Sequence, residues 1–258
     1  MRPPEPAIRC FTPVGSLATA LPADGAISVL AFRLDPADKV VAHLESVLDD
    51  PERARAARFH FERHRRRFIV GRAVLRHLLA GALGSEPSMV RFSYGEHGKP
   101  ALAGARALPF NLSNSSELAM IALGGDTPLG VDVERLRAMD DAEAIARRFF
   151  SATEVEAFKR LPAEDREAGF FRCWTRKEAY IKAIGDGLTM PLDRFDVAFG
   201  RSDPCRLLRV DGDRARAGQW LLAHLEPAAG YLGALARQGV DARLRGYRFD
   251  AARLARTV

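Results

Sequence analysis

The apolar positions of the chain change period several times, and each change marks an element. Ala26–Leu34 alternates apolar and polar positions as a strand does. Asp38–Leu48 has helical spacing, and so does Phe68–Leu83, which ends at Gly84. Val90–Tyr94 reads as a short strand, and Glu96-His97-Gly98-Lys99-Pro100 as a turn. Pro109–Leu112 and Leu118–Leu123 read as strands around a polar break, Ser113-Asn114-Ser115-Ser116. A strand over Leu129–Glu134 and a helix near 140–148 follow. Ser151 and Glu154 have the spacing of a capping box, in which each side chain satisfies the other's backbone N–H. The next periodic stretch, about 164–184, stops at Gly185-Asp186-Gly187. Strands are expected near 195–199, 206–210, 219–225 and 231–236, and a short helix in the basic tail. The first 25 residues are rich in Pro and Ala and read as irregular.

This order repeats. Each half carries a long helix closed by glycine, then a turn, then a pair of strands. The pattern predicts an α+β fold of two similar halves, 1–125 and 126–258, meeting at Gly124-Gly125-Asp126-Thr127-Pro128. The length, 258 residues, suits either one large domain or two small ones.

Composition narrows the class. Hydrophobic residues make up 47% and charged residues 28%, which excludes a disordered or collagen-like chain. The three cysteines, Cys10, Cys173 and Cys205, form no C-x-x-C pair, so a zinc ribbon or a disulfide framework is not expected. No apolar run approaches the roughly 18 residues of a membrane span, and Met1–Pro6 does not open a signal peptide. A soluble, cytoplasmic protein is expected. The net charge of +6 leans toward anionic partners without the excess of a nucleic-acid coat. Only five of the 39 cationic side chains are lysine: Lys39, Lys99, Lys159, Lys177 and Lys182.

Four segments carry candidate chemistry. In Gly130-Val131-Asp132-Val133-Glu134 the strand period puts both carboxylates on one face, with the valines toward the core. Such a pair suits a hard divalent cation, or is the solvated face of an edge strand. In Phe171–Lys182, the residues Trp174, Glu178 and Lys182 stack in one helical row beside the stripe Phe170, Trp174, Ile181 and Ile184. Glu178 and Lys182 are either functional or an ordinary surface pair. Gly98-Lys99-Pro100 and Phe110–Ser115 combine a stiff, lysine-bearing turn with hydroxyls that suit an anion. The arginine-rich run Arg53–Arg67 is a solvated face, a phosphate site or a docking surface. No Walker, Rossmann, nucleophile-elbow or H-E-x-x-H pattern is present.

Taken together, GKP, FNLSNS, GVDVE and WTRKEAYIK, with RRFFSATE between the last two, resemble the 4′-phosphopantetheinyl transferase superfamily, in its Sfp-type branch. The resemblance covers roughly residues 50–200. It implies a monomer of two α+β halves related by a pseudo-twofold axis. It implies transfer of the 4′-phosphopantetheine arm of coenzyme A to a serine of an apo acyl, peptidyl or polyketide carrier protein, with release of adenosine 3′,5′-bisphosphate. Carried over to this chain, Asp132, Glu134 and Glu178 would hold Mg²⁺, with Mn²⁺ as a substitute. Glu178 and Lys182 would be catalytic. Arg55 (or Arg53), Arg67, Lys99, Pro100, Ser113, Asn114 and Lys182 would contact coenzyme A, with Lys99 near the adenine and 3′-phosphate. Lys177 either adds to that field or faces solvent, and Arg72 and Arg76 are candidates for docking the acidic carrier. Asn114 departs from the family pattern, which has histidine there; asparagine donates a hydrogen bond but carries no charge. The competing reading is a non-catalytic basic protein that binds coenzyme A or another polyanion. It leaves the three carboxylates unexplained. Neither nucleic acid nor membrane is an expected partner.

Overall fold

Two short strands open the structure, β1 (Ala7–Ile8) and β2 (Thr12–Val14), in the stretch that composition suggests is irregular. Both pair with strands from the far end of the chain, so nothing local announces them. The computed structural model describes residues 6–23, 25–104, 108–185 and 190–256. The first half continues with β3 (Ile27–Arg33), α1 (Asp38–Glu45), α2 (Asp50–Ala57) and α3 (Glu62–Leu83). The hairpins β4 (Phe92–Tyr94)–β5 (Pro100–Leu102) and β6 (Phe110–Ser115)–β7 (Leu118–Gly124) complete it. The second half repeats the order: β8 (Leu129–Arg135), α4 (Ala142–Phe149), α5 (Ala152–Lys159), α6 (Ala163–Ile184), and the pair β9 (Phe195–Val197)–β10 (Leu207–Val210). A single-turn helix, α7 (Arg214–Ala217), leads to the hairpin β11 (Trp220–Leu225)–β12 (Tyr231–Gln238). The tail holds a strand, β13 (Leu244–Phe249), before a 3-10 turn at Ala251–Arg256.

The repeat extends to details. Helices α3 and α6 each have 22 residues and end on a left-handed glycine, Gly84 and Gly185, a conformation open to a residue without Cβ. Asp186 and Gly187, expected in the second stop, lie outside the described residues. In each half the opening sheet strand pairs antiparallel with the second strand of the closing hairpin, as β3-β7-β6 and β8-β12-β11. A capping box starts α2 (Asp49 with Glu52) and α5 (Ser151 with Glu154). Each box glutamate is buried and takes a cation from the long helix. Glu52 accepts from Arg72 and Arg76 of α3, and Glu154 from Lys177 of α6 at 2.7 Å. Arg76 and Lys177 occupy the same position in their helices, fourteen residues after the first.

Three expectations are corrected here. Lys177 does not face solvent; it is fully buried, also donating to the Leu192 and Phe195 carbonyls. Arg72 and Arg76 are buried in this ion network and offer no docking surface. Helix α3 starts at Glu62, not Phe68, because its arginines are neutralised: Arg65 pairs with Glu45, Arg66 with Asp38 and Arg67 with Asp35.

The sheets stack face to face. Ile27, Val29 and Ala31 of β3 and Val131 and Val133 of β8 fill the layer between them. Leu30 and Phe32 on the opposite face of β3 pack on α3, and α6 covers the outer face of the second sheet. The chain ends cross over: β1 pairs with β11 in the second sheet, and β13 lies between β2 and β3 in the first. The short β1 thus joins the sheet of the second half and β13 that of the first, while β2 stays with the first. Among the described residues, no helix is long and apolar enough to cross a membrane.

Candidate active site

The site lies where β6, β8 and α6 meet. The alternation that buries Val131 and Val133 between the sheets turns Gly130, Asp132 and Glu134 toward α6. Strand β8 is the edge of its sheet, but not a solvated one, since Asp132 is 4% exposed. Gly130 explains the close fit. A Cβ there would stand 2.2 Å from the Ala179 carbonyl oxygen and 2.4 Å from the Ala183 nitrogen, so only glycine lets the strand lie on the helix backbone.

The free edge of β8 is met by side chains spaced two residues apart on β6. Asn111 Oδ1 accepts from the Val131 N–H at 2.8 Å, Ser113 donates to Asp132 Oδ1 at 2.9 Å, and Ser115 donates to Glu134 Oε2 at 2.6 Å. The expected polar break at Ser113-Asn114-Ser115-Ser116 is thus strand as far as Ser115. The serines are polar because their partners across the seam are carboxylates, and the turn begins at Ser116 with φ 51°. From α6, Lys182 Nζ donates to Asp132 Oδ1 at 2.6 Å and to Ser113 Oγ at 3.0 Å. Arg137 comes within 3.8 Å of Glu134.

Burial pushes Glu178 above the usual carboxylate range, and the charges of Asp132 and Glu134 add to this against Lys182. Burial also raises Glu134, with Asp132 adding and Ser115 opposing. Asp132 Oδ2 is buried with no hydrogen-bond partner. An orphaned carboxylate oxygen, next to two carboxylates that are costly to ionise, fits a hard cation with oxygen ligands. Among the described residues, no three such side chains form a metal-holding cluster.

The other predicted residues sit apart from this cluster. Asn114 is exposed, on the face of β6 that Leu112 shares with α3, opposite to Ser113 and Ser115. Arg67 is held by Asp35 at 2.8 and 3.0 Å. Arg55 lies over the Phe68 ring and, with Arg58, Phe59, Phe68 and Tyr94, lines a cavity of about 660 Å³. Arg53 is paired with Asp50 and the Leu48 carbonyl. Pro100 and the Lys99 stem line a second cavity, about 280 Å³, with Phe110, Leu129 and Gly185. The Lys99 ammonium does not stand free for a phosphate; it donates to the carbonyls of Leu129, Lys182 and Ala183, and burial pushes it down to about 8. Sequence reasoning missed Gly130 as a packing requirement and Ser115 as a partner of Glu134. The matched two-residue spacing of Ser113/Ser115 and Asp132/Glu134 was the available signal.

Comparison with known proteins agrees with this architecture. A family model described as the 4′-phosphopantetheinyl transferase superfamily matches residues 128–236, and one described as 4′-phosphopantetheinyl transferase, N-terminal, matches 33–124. The 4′-phosphopantetheinyl transferase HetI of Nostoc sp. is 41% identical over 209 residues, covering 80% of this chain and 85% of that protein. The 4′-phosphopantetheinyl transferase psf-1 of Bacillus pumilus is 34% identical, covering 66% of this chain and 73% of that protein. The 4′-phosphopantetheinyl transferase Sfp of Bacillus subtilis is 30% identical, covering 59% and 66%. The chain belongs to the 4′-phosphopantetheinyl transferase superfamily, in its Sfp-type branch. It is a transferase that modifies carrier proteins with phosphopantetheine, and the non-catalytic polyanion binder is not favoured.

Proposed function

We propose that the chain takes its phosphopantetheine arm from coenzyme A and uses Asp132, Glu134 and Glu178 to hold Mg²⁺ or Mn²⁺ during transfer to a carrier serine. The buried, unpartnered Asp132 Oδ2 carries this reading. The cation, when bound, supplies Lewis-acid neutralisation of the pyrophosphate. The residues do the rest. Glu178, with its proton affinity raised by burial, accepts the proton of the serine hydroxyl as that oxygen attacks the phosphorus bearing the pantetheine arm. The bond to the bridging pyrophosphate oxygen breaks, and Lys182 stabilises charge on the departing adenosine 3′,5′-bisphosphate. Ser113 already donates to Asp132 and accepts from Lys182, which fixes both at the start.

Arg55, Arg67, Asn114 and Pro100 support a coenzyme A surface on the first half. Guanidinium forks suit phosphate oxygens, and the aromatic rings beside Arg55 suit a base. Lys99 contributes its stem and its turn. The division into halves 1–125 and 126–258 is retained as a proposal. A monomer working in the cytoplasm completes the proposal; three cysteines with no C-x-x-C pair accord with a reducing compartment. Incubation with coenzyme A, Mg²⁺ and an apo carrier should add the mass of one phosphopantetheine arm. Asp132→Ala and Glu178→Ala should each abolish the gain while keeping a cooperative unfolding transition. A chain that modifies no acyl, peptidyl or polyketide carrier would reject the reading.

A further inference from the structure

Lys99 stands on the turn before β5, in the first half, yet its ammonium is spent entirely on the second. An ammonium has three N–H donors. Here the acceptors are the carbonyls of Leu129 and Ala183, both at 3.1 Å, and of Lys182. The donors match the acceptors one for one, which leaves none for a phosphate. The acceptors themselves are telling. The last carbonyls of a helix have no partner within it. In α6 the Ile181 carbonyl is taken by the N–H of Gly185, and the next two are taken by Lys99. A cation at this end also interacts favourably with the helix dipole. Leu129 is the first residue of β8, directly before Gly130. One side chain therefore grips the end of the helix that carries Glu178 and Lys182 and the start of the strand that carries Asp132 and Glu134. It does so at the level where Gly130 brings strand and helix backbones into contact. The left-handed Gly185 lies against the Lys99 stem, 3.8 Å from its Cδ to a Cβ built on that glycine.

We infer that Lys99 is a positioning residue for the transfer reaction, a clamp across the two halves that fixes the register of the α6 C-terminus on β8. It sets the carboxylate constellation, and coenzyme A is not held by its charge. The inference rests on the proposed roles of Asp132, Glu178 and Lys182. It places the energetic effect of Lys99 on kcat, where a phosphate ligand would place it on the Michaelis constant for coenzyme A.

The test compares native protein with Lys99→Met and Lys99→Arg. It reads kcat and KM for coenzyme A with one apo carrier, and amide hydrogen exchange at 181–185 in the protein alone. Lys99→Met should lower kcat by about 10–100-fold, the cost of small misplacement at a reacting centre, with KM shifted less than about threefold. Exchange at 181–185 should rise. Lys99→Arg, which keeps charge and donors, should recover part of kcat. A KM raised about tenfold or more at unchanged kcat would overturn the inference in favour of a phosphate contact. Unchanged kcat and unchanged exchange would overturn it as well. If native protein is inactive on every carrier, the functional reading fails instead, and the exchange measurement still judges the clamp.

Discussion

At the scale of single residues, the site is a set of charges held in a costly state. Glu134 and Glu178 hold protons more tightly in the folded chain than free carboxylates do. The folded state therefore keeps protons that the unfolded state has released. Stability of the metal-free protein should fall as pH rises above the free-carboxylate value of 4.5 and through the raised values. A divalent cation binds the ionised groups and removes that penalty. At about 100-fold excess over its dissociation constant, Mg²⁺ should raise the melting temperature by roughly 5–10 °C at neutral pH. The gain should be much smaller at about pH 5, where the same groups retain their protons. Calorimetry at the two pH values checks this; equal gains, or none, would remove the three carboxylates as ligands.

At the scale of elements, two contacts decide how helix meets strand. Gly130 allows β8 to touch α6, so Gly130→Ala should force the pair apart. Transfer should fall by about 100-fold, as misplacement at a reacting centre does, with a lower melting temperature. A variant with native activity and stability would show that the approach is not needed. Under α6, Lys177 pairs with Glu154 in a fully buried contact. Removing one partner leaves the other charged or unsatisfied, so Lys177→Met should cost about 3–5 kcal/mol in urea unfolding. Adding Glu154→Gln should recover part of that loss, because the amide no longer strands a buried charge. The elements also show what a linear reading can reach. The helices with glycine stops, the Ser151 capping box and the facing of Asp132 and Glu134 follow from periodicity, which is local. The burial of Lys177, Arg72 and Arg76 does not. Charge on a helix row reads as exposed unless one knows that a capping-box glutamate from the preceding helix lies beneath it. Nor could spacing show that Lys99 spends its donors on carbonyls 30 and more residues away. Both contacts are made by tertiary neighbours.

At the scale of the whole molecule, the two halves share an element plan but only one carries the chemistry. Glu178 of α6 corresponds by helix position to His77 of α3, and Lys182 to Gly81. The core-facing residues Leu30 and Phe32 of β3 lie against α3, where β8 presents carboxylates to α6. The duplicated position has been filled with core, and a single site remains at the seam. The same scale explains why the end strands escaped a linear reading: β1 is two residues long, and β13 pairs with β2 and β3 from the opposite end of the sequence. Removing residues 244–256 should strip the strand between β2 and β3. Hydrogen exchange should then rise across Ile27–Arg33 more than across β8 and β12, and retained protection at Ile27–Arg33 would show β13 to be dispensable. This crossing has a consequence for how the protein is made. While the chain is being synthesised, the first sheet waits with a gap until residues 244–249 have emerged. The halves resemble two copies of one unit, yet the first cannot finish until the second has been made, and the nascent chain must keep β3 unpaired on one side for most of its synthesis.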